Sequence, residues 1–268
     1  MEVKRSVKVA VAQMTSGNQL ERNLEKMRLW TETAAKQGAE IVVFPEMAYF
    51  MGAKPECAAV VQKFSELIQT FAGWAKEFKI TLLPGSLREP GTNRPFNTLP
   101  VLTPDGKVAT SYRKIFLFKA QLPDRVYNEG QECQPGSNPI LWKNLGLAIC
   151  YDLRFPELFR ALKKQGAEIL VVPAAFTVPT GEAHWSVLLR ARAIENQCFV
   201  VAPAQTGKLG DNRLTYGHSQ VISPWGEVLL DLQDKEGFAV AELDVSALDE
   251  ARKRVDSWAS RREDLFPI

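Results

Sequence analysis

Histidine is scarce in this chain of 268 residues, where only His184 and His218 occur. That excludes a His-rich metal site and leaves two candidates for any histidine base. The four cysteines, Cys57, Cys133, Cys150 and Cys198, are widely spaced without a CxxC pair, against a disulfide framework and a cysteine-based zinc site. No run of lysine and arginine reaches five residues, and no standard nucleic-acid module can be read, so no nucleic-acid partner is expected. No apolar stretch approaches the roughly 18 residues that a membrane span requires. The N-terminal "MEVKRSVKVAVAQM" carries charges and then a Val/Ala alternation too short for a signal sequence. These absences lead us to expect a cytoplasmic protein with no membrane partner.

What is present suits a folded core. Apolar residues make up 46% of the chain, and 33 basic side chains nearly balance 31 acidic ones. The length fits one large domain or two small ones. The hexapeptide "KQGAEI" occurs twice, at Lys36 to Ile41 and at Lys164 to Ile169. Each copy ends a helical pattern at glycine and enters a short apolar strand. The first continues "VVFPE" to Glu46, and the second "LVVPA" to Ala174.

The periodicity predicts a strand over Val7 to Met14, then a helix with capping-box spacing between Ser16 and Gln19 and a face of Leu20, Leu24, Met27, Trp30 and Ala34. A second helix carries Val60, Phe64, Leu67, Phe71, Trp74 and Phe78 on one face. "NTLPVL", "TPDG" and "KVATSYRK" predict a hairpin, and Ile115 to Pro139 reads as a long loop of the kind that contributes to a site. "NLGLAICYD" and "AEILVVPAA" predict strands around the helix "FPELFRALKKQG". A further helix is expected from about Glu182 to Glu195, and strands dominate the last third. The strand total exceeds what one flat covered sheet usually holds, so two sheets face to face with helices outside are expected.

In such layers, side chains that do chemistry gather at the carboxyl ends of strands. Three residues meet that condition: Glu46 behind four apolar residues, Lys114 at the end of "KVATSYRK", and Cys150 at the end of "LGLAIC". Cys150 enters the sharp turn "CYDLRFPE", which presents a thiol beside backbone N–H groups able to receive an oxyanion. A buried structural cysteine is the alternative for Cys150, a solvated loop acid for Glu46, and an ordinary strand-end residue for Lys114. Together the three supply a nucleophile, a proton shuttle and a cation beside the oxyanion.

The ordered series "VFPE", "YRKIFLF", "CYDLRFPEL", "GAEILVVPAAFT", "TGEAHWSVLLRARAIENQCFV", "YGHSQVISPWGEV" and "RREDLF" resembles the nitrilase superfamily of carbon–nitrogen hydrolases over nearly the full length. The resemblance implies one domain over 1–268 with an α/β fold, a four-layer α-β-β-α sandwich. It implies a catalytic triad of Glu46, Lys114 and Cys150, with Glu129 supporting the lysine and substrate. It also implies thiol-dependent amide hydrolysis through a thioester, no metal or other cofactor, and a homodimer. The Tyr151 backbone N–H is the expected oxyanion donor. Arg154 is the first candidate for an anionic substrate group, with Lys119, Arg125 and Arg213 for a distal one. Ala174, Ala175 and Phe176 are expected as wall. The wording around "CYDLRFPEL" and "YGHS" is most similar to the deaminated glutathione amidase branch. An ω-amidase acting on α-ketoglutaramate, an N-carbamoyl amide hydrolase, a nitrilase and a non-enzymatic binding homologue remain alternatives.

Overall fold

The computed structural model describes residues 6–123 and 125–267. Strand Ser6–Met14 shows how the layers arise. Successive side chains of a strand point to opposite faces. Val9 and Val11 therefore enter one apolar core, while Ala10, Ala12 and Met14 enter another. The second core lies beneath helices Leu20–Lys36 and Phe64–Phe78, which contribute Leu20, Met27, Ala34, Leu67, Phe71 and Trp74. The first core is shared with a second sheet, whose outer face is covered by helices Pro156–Lys164 and Val178–Asn196. The fold is an α-β-β-α sandwich.

In the first sheet, Ile41–Val43 lies parallel between Ser6–Met14 and Thr81–Leu83. Beyond Thr81–Leu83 come Phe96–Leu102 and its antiparallel neighbours Leu87–Glu89 and Val108–Arg113. On the other side, Ser6–Met14 pairs with Gly237–Asp244 and, at its end, with Ala204–Lys208. In the second sheet, Ile169–Val171 lies parallel between Leu145–Leu147 and Phe199–Ala202. Ile140–Trp142 and Gln220–Ile222 flank that trio, and Val228–Asp231 completes the sheet.

The repeated hexapeptide occupies equivalent places in the two sheets. In both copies the glycine has a left-handed φ, +84° at Gly38 and +108° at Gly166, which only glycine adopts without steric cost. The alanine that follows donates back into the helix, Ala39 to Ala34 and Ala167 to Leu162. The glutamate then joins both neighbouring strands: Glu40 bonds to Lys8 and Thr81, and Glu168 to Asn144 and Phe199. Each copy thus feeds the central strand of a parallel trio.

Several expectations require correction. The helix at Leu20 has no side-chain cap, because Ser16 Oγ instead donates to Ala48 O at 2.9 Å and accepts from Gln205 at 2.8 Å. The second predicted helix is two, Lys54–Val61 and Phe64–Phe78. The segment Ile115 to Pro139 contains a hairpin, Lys119–Gln121 with Val126–Asn128, and a 3-10 turn, Glu129–Gln131. The helix expected from Glu182 starts at Val178, since Pro179 suits a first helical turn and Gly181 leaves room for the Tyr216 ring. Among the described residues, no helix is long and apolar enough to cross a membrane.

Gly85 sets how closely two strand ends approach. Its φ is +78°, and a Cβ there would lie 1.8 Å from the Pro45 carbonyl oxygen, directly before Glu46. Backbone against backbone cannot yield as two side chains can. Gly85→Ala should therefore lower unfolding stability by about 2 kcal/mol or more, combining a left-handed penalty with overpacking. Chemical denaturation checks this, and an unchanged midpoint would show that the Glu46 turn is not held by this approach.

Candidate active site

Strand ends from both sheets converge on one buried point. Glu46 lies three residues beyond Ile41–Val43 in a turn whose next residue, Met47, has φ +57°. Met47 N–H donates to Ser86 Oγ at 3.3 Å, and the Glu46 carbonyl accepts from Gln205 at 3.0 Å. Lys114 follows Val108–Arg113, and its N–H continues the ladder to Asn97 O at 2.8 Å. Its carbonyl accepts from Gly136, so the returning loop pins it from the other side.

The Lys114 side chain is 2% exposed and ends between two carboxylates. Nζ donates to Glu46 Oε1 and to Glu129 Oε2, each at 2.8 Å. Asn97 Nδ2 bridges the same pair, donating to Glu46 at 2.9 Å and Glu129 at 3.0 Å. Phe118 N–H gives Glu129 a further bond of 2.9 Å. Burial alone would push the Lys114 ammonium toward neutrality, but the charges of Glu129 and then Glu46 outweigh it and hold its pKa well above the usual lysine value. Burial likewise opposes ionisation of Glu129, and the Lys114 charge followed by that of Arg88 overcomes it, keeping the carboxyl below its ordinary range.

Cys150 comes from the second sheet. After Leu145–Leu147 the chain continues in register, with Cys150 N–H donating to Pro173 O at 2.9 Å. It then turns into the 3-10 segment Cys150–Arg154 with φ +50° at the cysteine. A non-glycine residue in this region is strained, a feature shared with strand-to-helix turns that present a nucleophile. The buried thiol lies within the influence of the Glu46 carboxylate, the Lys114 ammonium and the Ala175 N–H. Burial, then the Glu46 charge, raises its pKa well above the ordinary thiol value, with Lys114 and the Ala175 N–H pulling the other way. The resting sulfur is therefore a neutral thiol beside a carboxylate that can accept its proton. Tyr151, which follows in this short turn, has its backbone N–H among those a helix start leaves without an intrahelical acceptor.

The turn is tied down by Asp152, which sequence analysis did not place in the site. Its carboxylate accepts from Tyr112 Oη at 2.7 Å, Ile149 N–H at 2.8 Å and Phe116 N–H at 2.9 Å. Asn97 was also missed. The available signals were an aspartate two residues after the cysteine and a lone amide in an otherwise apolar strand.

Arg154, Tyr151 and Phe176 gather with Cys150 around a slot of about 10 Å³, bounded also by Phe118, Ala175 and Thr180. Arg154 does not pair with Asp152. Its guanidinium lies 5.6 Å from the Tyr151 ring and 5.3 Å from that of Phe176, with His184 Nδ1 at 3.3 Å. Ala174 is fully buried in an isolated bridge to Ala204, so it backs the wall while Ala175 lines it. Lys119 is exposed on the small hairpin, and Arg125 lies 5.6 Å over the Tyr127 ring. Arg213 is held by Asp211 at 2.6 Å. His218 pairs with Asp231 at 3.1 Å. Neither histidine therefore joins the Glu46–Lys114–Cys150 cluster. Among the described residues, no group of three or more His, Cys, Asp or Glu side chains is arranged to hold a metal ion.

Asp152 makes the turn sensitive to pH. Burial lifts its pKa from 3.8 to about 6, against the opposing pull of Lys114 and its donors. The fold holds this proton more tightly than the unfolded chain, so Asp152 lowers stability by about 3 kcal/mol as pH rises from about 4 to about 6. The acceptor form that ties the turn is present above about pH 6 and lost as pH falls through it. Turnover should show an acid limb centred near pH 6 that disappears in Asp152→Asn, whose rate is lower throughout. A limb unchanged in that variant would assign the titration elsewhere.

Comparison with known proteins identifies the family and the fold. The model of the carbon-nitrogen hydrolase family matches residues 8–253. A deaminated glutathione amidase from Synechocystis sp. is 41% identical over 266 residues, covering 94% of this chain and 97% of that protein. The crystal structure of the Caenorhabditis elegans NitFhit protein superposes with a TM-score of 0.91 at 38% identity, over 97% of this chain and 66% of that longer one. A mutant amidase from Nesterenkonia sp. AN1, with the acetamide moiety of fluoroacetamide covalently added at its active-site cysteine, gives a TM-score of 0.82 at 27% identity, over 97% of this chain and 95% of that one. The chain, with a buried glutamate, lysine and cysteine at the ends of its facing sheets, belongs to the carbon–nitrogen hydrolase family.

Proposed function

We propose that this enzyme hydrolyses the amide bond of deaminated glutathione through a cysteinyl thioester, with Glu46, Lys114 and Cys150 as its catalytic residues. The carrying observation is the buried Cys150 thiol placed where the charges of Glu46 and Lys114 both act on it, the Glu46 carboxylate itself accepting from the Lys114 ammonium at 2.8 Å. Glu46 takes the thiol proton as Sγ attacks the carbonyl carbon. Lys114 and the Tyr151 N–H stabilise the oxyanion, and Glu46 returns the proton to the departing amine. Glu46 then takes a proton from water, whose oxygen attacks the thioester; the C–S bond breaks, the acid leaves, and Glu46 returns the proton to the released Cys150 sulfur. Glu129 holds Lys114 in place through both steps.

The relative from Synechocystis supports this choice of substrate by its name. Arg154, at the rim and directed onto ring faces rather than toward Asp152, suits the substrate carboxylate. The slot at Cys150 has room for about one water molecule, so the rim side chains must rotate aside as substrate enters. The reaction would take place in the cytoplasm, within one domain over 1–268.

Cys150→Ala should abolish turnover and leave the thermal unfolding midpoint within a few degrees of the parent. Activity retained in that variant would eliminate the thioester route. In the parent, kcat/KM for deaminated glutathione should exceed that for α-ketoglutaramate. Both share the α-keto dicarboxylate half, and only the first brings remote binding energy from its leaving dipeptide. A tenfold preference for α-ketoglutaramate, about 1.4 kcal/mol, would move the enzyme to the ω-amidase reading.

The same proposal includes a homodimer. Val187 (68% exposed), Ile194 and Trp225 lie on the surface beside the outer helix of the second sheet, and Leu265 and Phe266 are exposed near the C-terminus. A second copy would cover such apolar side chains. Light scattering at micromolar concentration should give twice the chain mass, and a monomeric mass would refute the dimer.

A further inference from the structure

Behind Glu129 lies a cavity of about 400 Å³ that the chemistry above does not use. Neither Cys150, Glu46 nor Lys114 lines it, and it is separate from the slot at the thiol. One wall is Arg88, on the edge strand Leu87–Glu89, where it is the cross-strand partner of Asn97. The Arg88 side chain is 13% exposed. Its Nη1 donates to Cys133 Sγ, and its Nη2 lies 3.4 Å from Glu132. Its Nε is buried and has no hydrogen-bond partner among the described residues. A guanidinium N–H without an acceptor is costly, so Arg88 has a donor to spare that a small rotation of its side chain would offer to a ligand in the cavity it lines.

The surroundings define that ligand. Lys54 and Arg94 stand with Arg88 around the cavity, and Glu132 is the only carboxylate among its lining residues. Glu132 is shared by Lys54 at 3.3 Å and Arg88 at 3.4 Å, so it neutralises one of three cations. Ala58, Val61 and Pro95 give the cavity apolar walls. Surplus positive charge beside apolar surface suits an organic acid better than a fully hydrated inorganic anion. A carboxylate also matches the planar fork of a guanidinium.

We propose that this cavity is a second site, for a small organic carboxylate seated on Arg88 with Arg94 and Lys54 at its rim. The site stands whether or not the substrate assignment above does, because no residue is common to both. Occupancy reaches the Lys114 cluster through Arg88, whose charge helps keep Glu129 ionised and whose strand partner Asn97 bridges Glu129 and Glu46. A bound carboxylate competes with Glu129 for that charge.

The test is calorimetric titration of the Cys150→Ala chain with succinate, with inorganic phosphate as the comparison anion. Saturable succinate binding is expected, at least tenfold tighter than phosphate. Adding Arg94→Ala or Ala58→Trp should weaken it at least tenfold, the latter by filling the cavity from an exposed helix position, while Arg154→Ala should leave it unchanged. Circular dichroism melts of each variant establish that the fold is retained. Absence of saturable succinate binding overturns the site. Binding lost in Arg154→Ala but kept in Ala58→Trp assigns succinate to the catalytic slot and overturns it as well. Phosphate binding more tightly than succinate overturns the ligand class.

Discussion

One buried ammonium group is the constraint around which this molecule is arranged. Lys114 has almost no contact with solvent, and an ammonium in that position persists only with charged partners in good geometry. Two carboxylates meet it at 2.8 Å, and removing the ammonium would leave both buried and unpaired, at a cost of about 3–5 kcal/mol. Two acids around one base leave an excess negative charge, which the Asn97 amide partly satisfies by donating to both. Arg88 supplies further positive charge from behind Glu129. The cluster therefore requires Glu46 and Lys114 at neighbouring ends of the first sheet, with Glu129 folded over them from the long connection. Cys150 must arrive from the second sheet, so packing of one sheet on the other determines whether the thiol meets its carboxylate.

The repeated hexapeptide explains how such convergence is encoded. Both copies carry the same local instructions: a helix end at glycine, an alanine that bonds back, and a glutamate whose backbone bridges two strands. These are short-range effects, which is why each helix-to-strand passage was legible in the sequence. The copies keep only apolar exchanges until ten residues after their lysines, where Glu46 stands against Ala174. Glu46 enters the cluster, whereas Ala174 is packed against Ala204 and leaves Ala175 to offer its N–H to the thiol. One duplicated passage thus leads to the carboxylate of the cluster and the other to a backbone N–H that acts on the thiol.

The parts of the site that escaped sequence reasoning share a physical cause. Asn97 acts on residues 51 and 32 positions away, and the Asp152 carboxylate meets a tyrosine 40 positions away. Neither role follows from local periodicity, because each polar group is satisfied by a segment brought near only by tertiary packing. Gly85 is similar, since the close approach that requires it is to Pro45, just beyond the end of another strand. Strand-end acids, bases and thiols were visible because alternating burial and turn chemistry are local properties. The second helix failed for the converse reason: its apolar face runs on through Gln62 and Lys63, where the backbone breaks and restarts at Phe64.

Burial of the cluster also bears on why a neutral thiol is useful there. Cys150 is held protonated chiefly by desolvation, and making a lone thiolate in that place would be costly. Transfer of its proton to Glu46 is different, because one negative charge moves from oxygen to a neighbouring sulfur and the total within the buried cluster is unchanged. Much of the desolvation penalty then cancels between the two states. Lys114 lies against Glu46 and its charge also favours the thiolate, so it attends the charge before and after the transfer. The Ala175 N–H adds a fixed dipole that favours the sulfur anion. A charge-conserving step among groups already in place needs little reorganisation, which is where preorganised sites gain most of their advantage over water. The strained turn at Cys150 and the raised carboxyl of Asp152 are the stability costs of holding that arrangement ready.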